Sequence, residues 1–156
     1  MIKTDVTKAG FRLGRSSLKG FTILELIIAV AIVAVLASVA VPSYREYVRA
    51  GQLTEAGTSL SDVRVKMEQY FQDNRKYPTE CVTAAPGATQ LLLPATQYFT
   101  YTCPTLTATT FTVQASGSAE LTTGFSYTID HNNVRATTAS AWGAGHTSPT
   151  RWIMKK

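Results

Sequence analysis

The sequence predicts an α+β fold: one long N-terminal helix packed on a small antiparallel sheet of about four strands. Three observations lead there. A long apolar run follows a basic start, an amphipathic stripe continues from that run, and Thr-rich segments of alternating polarity occupy the second half.

The basic start comes first. Residues 1–20 hold Lys3, Lys8, Arg12, Arg15 and Lys19 against Asp5, a net +4, whereas residues 21–156 hold ten basic and nine acidic side chains. The overall +5 therefore belongs mainly to the start and does not by itself point to a polyanionic partner. Leu26 to Val41 is apolar except for Ser38, and Phe21 to Glu25 extends the run to 21 residues. At about 1.5 Å per residue this reaches roughly 30 Å, the thickness of a bilayer core. Lysines and arginines ahead of such a run keep its start cytoplasmic and send the remainder outward. A secretory signal is cut after its apolar run, and ASVAVPS imitates such a site only weakly. The sharper discontinuity is Lys19-Gly20-Phe21. A cut there removes the charge and leaves the apolar segment at the new N-terminus. Within the run, Ala alternates with Val, Ile and Leu, which suits an ordinary anchor or a helix that packs on copies of itself.

Glu25 is the one acid in this segment. A carboxylate in hydrocarbon is costly unless paired. A cut before Phe21 would create an α-amine four residues away, on the same chain or on a neighbour. The alternative is a carboxylate that stays hydrated at headgroup level. The residues alone leave both open.

After Pro42, the residues Tyr44, Tyr47, Val48, Leu53, Ala56, Leu60, Val63, Met67, Tyr70 and Phe71 recur mostly at steps of three and four. That is the stripe of an amphipathic helix. Pro42 either kinks one continuous helix or ends it, with Ser43 capping a restart. Gly51 and Gly57 weaken the helix, and Asp73-Asn74 with Tyr77-Pro78 mark its end. One helix over about residues 22–73 results, and its second half needs a sheet to cover one face.

Residues 78–96 are rich in Ala, Thr, Pro and Gly, a loop composition, with Leu91-Leu92-Leu93 as a tie-down. Cys81 and Cys103 are the only cysteines and allow one bridge, which suits an oxidising compartment. It would close about twenty residues and stabilise the fold by roughly 3 kcal/mol. Strands are predicted over 97–103, 109–115, 125–129 and 134–137, with Asp130 to Asn133 as a turn. In the tail, 138–156, Trp142 and Trp152 are expected to cover the sheet edge, with recognition by Trp beside Arg151 as the other reading.

No catalytic constellation stands out. His131 sits in the predicted turn and His146 in a Gly-rich tail, neither beside an acid and cysteine that would suggest a triad or metal cluster. Asp130 with Asn132 and Asn133 lacks the spaced acidic ladder of a Ca²⁺ loop. No enzyme activity, metal or cofactor is expected. Tyr and Trp near basic residues could stack on DNA. The nearly balanced charge after residue 20 argues against direct nucleic-acid binding.

The stretch Lys19-Gly20-Phe21-Thr22-Ile23-Leu24-Glu25-Leu26 resembles the class III prepilin signal of type IV pilins and of the pseudopilins of type II secretion. The strong part covers about residues 12–50 and includes Pro42, where such pilins have a helix-disturbing proline. Tyr44 and Tyr77-Pro78-Thr79 resemble the PilE-like branch more loosely. Ile23-Leu24 reverses the usual order, and the leader is longer than in many type IVa pilins. The resemblance implies a pilin fold and a fate for each residue. Gly20 would end a leader removed by a prepilin peptidase/methyltransferase, Phe21 would become the N-methylated N-terminus, and Glu25 would meet the Phe21 amine of a neighbouring subunit. It implies a cleaved leader over 1–20, a membrane anchor and filament core over 21–42, and a periplasmic or extracellular head over 43–156. The partners would be other pilin subunits and an inner-membrane assembly platform. The site would move from inner membrane to extracellular filament, in support of twitching motility, attachment or DNA uptake. A type II secretion pseudopilin is the nearest alternative, and a membrane-anchored binding module a more distant one. Many pilins clamp a C-terminal loop with a disulfide, and Cys103 lies too early for that.

Overall fold

A computed structural model describes residues 20–82 and 90–156. The expected leader up to residue 19, and residues 83–89 of the expected loop, lie outside the described residues. The chain divides into two units, Met1–Val39 and Ala40–Lys156, each taken by itself below.

In the first unit, helix α1 (Ile23–Asn74) begins, and every described side chain up to Val39 is exposed. This helix is long and apolar enough to cross a membrane. Thr22 caps it. Its Oγ1 accepts the Glu25 N–H at 3.1 Å, and its carbonyl accepts the Leu26 N–H at 3.1 Å. The side chain thus satisfies one of the orphan donors of the first turn.

In the second unit α1 runs through Pro42 without restarting at Ser43. Its buried stripe is Leu53, Ala56, Gly57, Leu60, Val63 and Met67. The predicted stripe began earlier, but Tyr44 and Tyr47 are 69% and 80% exposed. The elements of this unit cover the helix fully only from about Leu53 onward.

The cover is a four-stranded antiparallel sheet in the order β3 (Phe99–Leu106), β4 (Phe111–Gly117), β5 (Ser126–Asp130), β6 (Arg135–Ala139). Alternation puts Phe99, Tyr101, Phe111, Val113, Ala115, Tyr127 and Ile129 into one core with the helix stripe. Thr100, Thr102, Thr112, Gln114 and Thr128 alternate with them along the strands, giving the other face hydroxyl and amide character. Two further strands, β1 (Glu80–Val82) and β2 (Gln90–Leu92), pair in parallel where a plain loop was expected. Three residues are too few to show a period, and the Ala, Thr, Pro and Gly around them read as loop. Leu91 and Leu93 are buried as the expected tie-down.

Cys81 and Cys103 form the disulfide, with Cα atoms 6.2 Å apart across 22 residues, and so tie β1 to β3. Cys81→Ser with Cys103→Ser is expected to cost about 3 kcal/mol by loop closure. Thermal unfolding with and without reductant measures it, and equal midpoints would refute it.

The tail returns between β6 and α1. Tyr127 OH donates to Ile153 O at 2.9 Å, and Trp152 Nε1 donates to Thr128 O at 2.8 Å. The Thr137 hydroxyl donates to Arg151 O at 3.0 Å and accepts the Ile153 N–H at 2.9 Å. Trp152 and Met154 then press on Gly57, where an added Cβ would lie 3.1 Å from Met154 Cε. Gly57 therefore provides close approach for the tail rather than a weak point in the helix. Burial raises the Tyr127 phenol well above its ordinary value, and raises Tyr77 and Tyr101 in the same direction. Above pH 10 the unfolded chain loses phenol protons that the folded chain retains. Stability is therefore expected to be flat below that pH for these groups and to fall as pH rises through it. Denaturant midpoints across an alkaline pH series test the sign.

Candidate functional site

Two groups of residues carry chemistry, one in each unit. In the first, Gly20 and Phe21 precede α1 and are exposed, Phe21 by 77%. Glu25 lies in the first turn with its side chain exposed, where a negative charge also suits the helix dipole. Its backbone N–H is engaged by Thr22. Sequence reasoning singled out Gly20, Phe21 and Glu25 but missed Thr22. The signal was present as Thr22-Ile23-Leu24-Glu25, the spacing of a capping box.

In the second unit the question is which charges are free. Arg45 pairs with Glu120 at 2.7 Å, Arg49 with Glu46, and Lys66 with Asp62 at 2.8 Å. Arg49 Nε also donates to Leu121 O at 3.0 Å. Arg75, Lys76, Arg135, Arg151, Lys155 and Lys156 are exposed and make no ion pair among the described residues.

Arg75 and Lys76 follow the last turn of α1. Arg75 has φ +60°, and its N–H bonds Phe71 O at 2.7 Å, a left-handed helix stop. The next residue but one, Tyr77, donates its N–H to Ala108 O at 3.0 Å, in the β3–β4 turn. Thr107 closes that turn by accepting the Thr110 N–H on Oγ1 at 2.9 Å. His131, in the β5–β6 turn, donates its N–H to Phe111 O at 3.2 Å. Beneath these connections runs a ladder of rings: Phe71 to Tyr77 at 4.8 Å, Tyr77 to Phe111 at 4.8 Å, and Phe111 to His131 at 6.4 Å. Three connections at one end of the sheet thus share one aromatic base. At the start of β6, the Arg135 guanidinium carbon lies 4.8 Å from the centre of the Trp152 ring.

This end presents Arg75, Lys76 and Arg135 with no ion pair among the described residues, beside hydrogen-bonded turns whose Thr107 and Thr110 hydroxyls bond each other and whose Asp130 carboxylate is held by backbone N–H groups. Among the described residues no cluster of His, Cys, Asp and Glu could hold a metal ion. His131 packs on Phe111 and His146 on Trp142, so both imidazoles are ring-packing partners. Arg75 and Lys76 were missed at the sequence level because two adjacent cations make no evident basic run in a segment whose charge is nearly balanced.

The family model described as "Type IV minor pilin ComP, DNA uptake sequence receptor" matches residues 42–124, and that of the prokaryotic N-terminal methylation motif matches residues 15–41. Fimbrial protein EcpC of Eikenella corrodens is 35% identical over 71 residues, 46% of each chain. The type IV major pilin protein PilE1 of Neisseria gonorrhoeae is 36% identical over 66 residues, 42% of this chain and 40% of its own. The chain thus spans less than half the length of these curated relatives. The non-core minor pilin PilV of Neisseria meningitidis matches in structure with a TM-score of 0.50 at 19% identity, over 69% of this chain and 99% of its own, which speaks to the fold. The first match overturns the expectation against direct nucleic-acid binding. A near-zero charge sum hides cations that are neutralised by local acids and others that are not.

Proposed function

This chain belongs to the type IV pilins, in the family described as type IV minor pilin ComP, DNA uptake sequence receptor, and from that premise we propose that it is a minor pilus subunit that binds DNA directly through the end of its sheet beside α1. Pilins are structural rather than catalytic proteins, and membership displaces both the pseudopilin and the anchored-module alternatives. Processing follows the methylation motif over residues 15–41, which contains Gly20, Phe21 and Glu25. The leader is removed after Gly20 by the peptidase/methyltransferase, Phe21 is N-methylated, and Glu25 meets the Phe21 amine of a neighbouring subunit. The subunit waits in the inner membrane with its start cytoplasmic. The assembly platform then transfers it to the extracellular filament, where the apolar part of α1 joins the filament core. Mass spectrometry of sheared filaments should find a trace component beginning at methylated Phe21, and a dominant component would make it a major subunit instead.

The observation that carries the DNA reading is the unpaired Arg75-Lys76 step inside the matched residues 42–124. Guanidinium and ammonium groups there neutralise phosphates and release counterions, which gives affinity and steep salt dependence without reading sequence. The test uses the full-length chain in neutral detergent with a labelled DNA duplex, titrated with salt. Arg75→Ala with Lys76→Ala should weaken binding alike for all duplexes and lower the slope of log K against log salt by about 2. An unchanged slope would move the contact elsewhere.

A further inference from the structure

We infer that the β5–β6 turn, through Asn132 and Asn133 together with Arg135, reads base edges of duplex DNA. This rests on the DNA-binding reading above and adds to it the residues that discriminate sequence. Phosphate contacts position a protein on a duplex but carry no sequence information. Readout needs side chains whose paired groups match a base edge, the donor and acceptor of an amide for adenine and two guanidinium donors for guanine, on an element narrow enough for a groove. β5 is also paired with β4, so the turn itself, rather than a free two-stranded ribbon, would enter the groove.

The turn supplies those groups in rigid form. Asn133 N–H bonds Asp130 O at 3.0 Å and Asp130 N–H bonds Val134 O at 3.2 Å, closing a three-residue connection. The Asp130 carboxylate accepts the N–H of Asn132 at 2.9 Å and of Val134 at 2.8 Å. Backbone donors of the turn are therefore met by Asp130, its carboxylate taking the Asn132 and Val134 N–H groups. The side-chain amides of Asn132 and Asn133 are exposed and make no hydrogen bond among the described residues. By contrast, the Asn74 amide is held by Tyr70 O at 3.0 Å. Asn133 sits at φ +61°, where asparagine is tolerated and keeps its amide while glycine would lose it.

Arg135 is pre-oriented in a different way. Its guanidinium carbon lies 4.8 Å from the centre of the Trp152 ring, whose indole N–H is fixed on Thr128 O. The guanidinium makes no hydrogen bond or ion pair among the described residues, so its N–H donors are available to an acceptor pair. Val134, 43% exposed between the amides and the guanidinium, adds an apolar surface of the kind that meets a thymine methyl. The turn is bound to the same aromatic ladder as Arg75 and Lys76, through the His131 N–H and its ring on Phe111. Phosphates and base edges would thus be engaged from one rigid end.

The experiment takes full-length wild type, Asn132→Ala with Asn133→Gly, and Arg135→Lys in neutral detergent. The glycine keeps the positive φ and the lysine keeps the charge. Each is challenged with a pool of short duplexes with randomised centres, and captured duplexes are sequenced. Affinity for the unselected pool is measured separately. Wild type should enrich a defined sequence. Both variants should bind the unselected pool within about twofold of wild type while losing roughly tenfold or more of the preference. Should the double variant fail to fold, Arg135→Lys decides. Variants that retain the preference overturn the assignment of the turn and leave DNA binding by this subunit intact. A wild-type chain that binds all duplexes alike overturns it too, and one that captures none sinks both readings.

Discussion

Gly117→Ala is expected to prevent the second unit from folding. Gly117 ends β4, and an added Cβ would lie 1.8 Å from the Thr122 carbonyl oxygen and 2.4 Å from its carbon. The obstacle is backbone, so rotamer changes cannot clear it. Nor can the backbone withdraw freely. Thr122 is fully buried, its hydroxyl donates to Tyr98 O at 2.8 Å, and it accepts the Ala119 N–H at 3.1 Å. Ser118 N–H bonds Tyr98 O and Gly117 N–H bonds Phe125 O, both at 2.9 Å. Arg45 and Arg49 hold the same connection through Glu120 and Leu121. Relief would break several of these bonds at once. The cost should exceed the usual overpacking loss of about 1–3 kcal/mol and approach the whole stability of about 5–15 kcal/mol. Yield of folded protein and thermal denaturation measure it. A melting midpoint within a few degrees of wild type would show that the connection is looser than its hydrogen bonds imply.

Glu25→Ala is expected to leave the processed subunit in the membrane and to remove it from sheared filaments. The geometry makes this a clean test. The capping bond uses the backbone N–H of Glu25 and the hydroxyl of Thr22, so alanine at position 25 keeps it. Alanine is also a good helix former. A defect would therefore report the missing carboxylate rather than a damaged helix start. Thr22→Ala makes the converse change, removing the cap at a cost of about 1 kcal/mol while keeping the carboxylate. The amount of this subunit in sheared filaments, with processing followed by mass spectrometry, reads both. Normal incorporation of Glu25→Ala into filaments would end the proposed assembly role.

Local spacing made much of the fold legible. The apolar run and the three- and four-residue steps after it predict α1 within a residue at each end, 22–73 against Ile23–Asn74. Alternation locates the four strands of the sheet, although β3 extends past Cys103 through a register shift between Thr102 and Thr105. The disulfide needs only two cysteines and a fold that brings them together. The parallel pair β1–β2 escapes because a three-residue strand has no period to detect. The exposed Tyr44 and Tyr47 escape because a stripe indicates which face is apolar, but not how far along the helix it is covered.

The family signature around Gly20, Phe21 and Glu25 is likewise written in consecutive residues. The candidate DNA-binding end is not. Arg45 and Arg49 look as available in the sequence as Arg75 and Lys76. Arg45 is neutralised because Glu120, more than seventy residues away, folds back beside it, whereas Arg49 pairs with Glu46 three residues earlier and also bonds the distant Leu121 carbonyl. Arg75, Lys76 and the β5–β6 turn come together through Tyr77, Phe111 and His131, which are also distant in the chain. Helix and strand periods are local consequences of backbone geometry and need no knowledge of the rest of the chain. Whether a charge is neutralised or free depends on its folded neighbours, some local, as Glu46 is to Arg49 and Asp62 to Lys66, and some distant, as Glu120 is to Arg45, so a charge summed over the sequence does not show which cations stay unpaired.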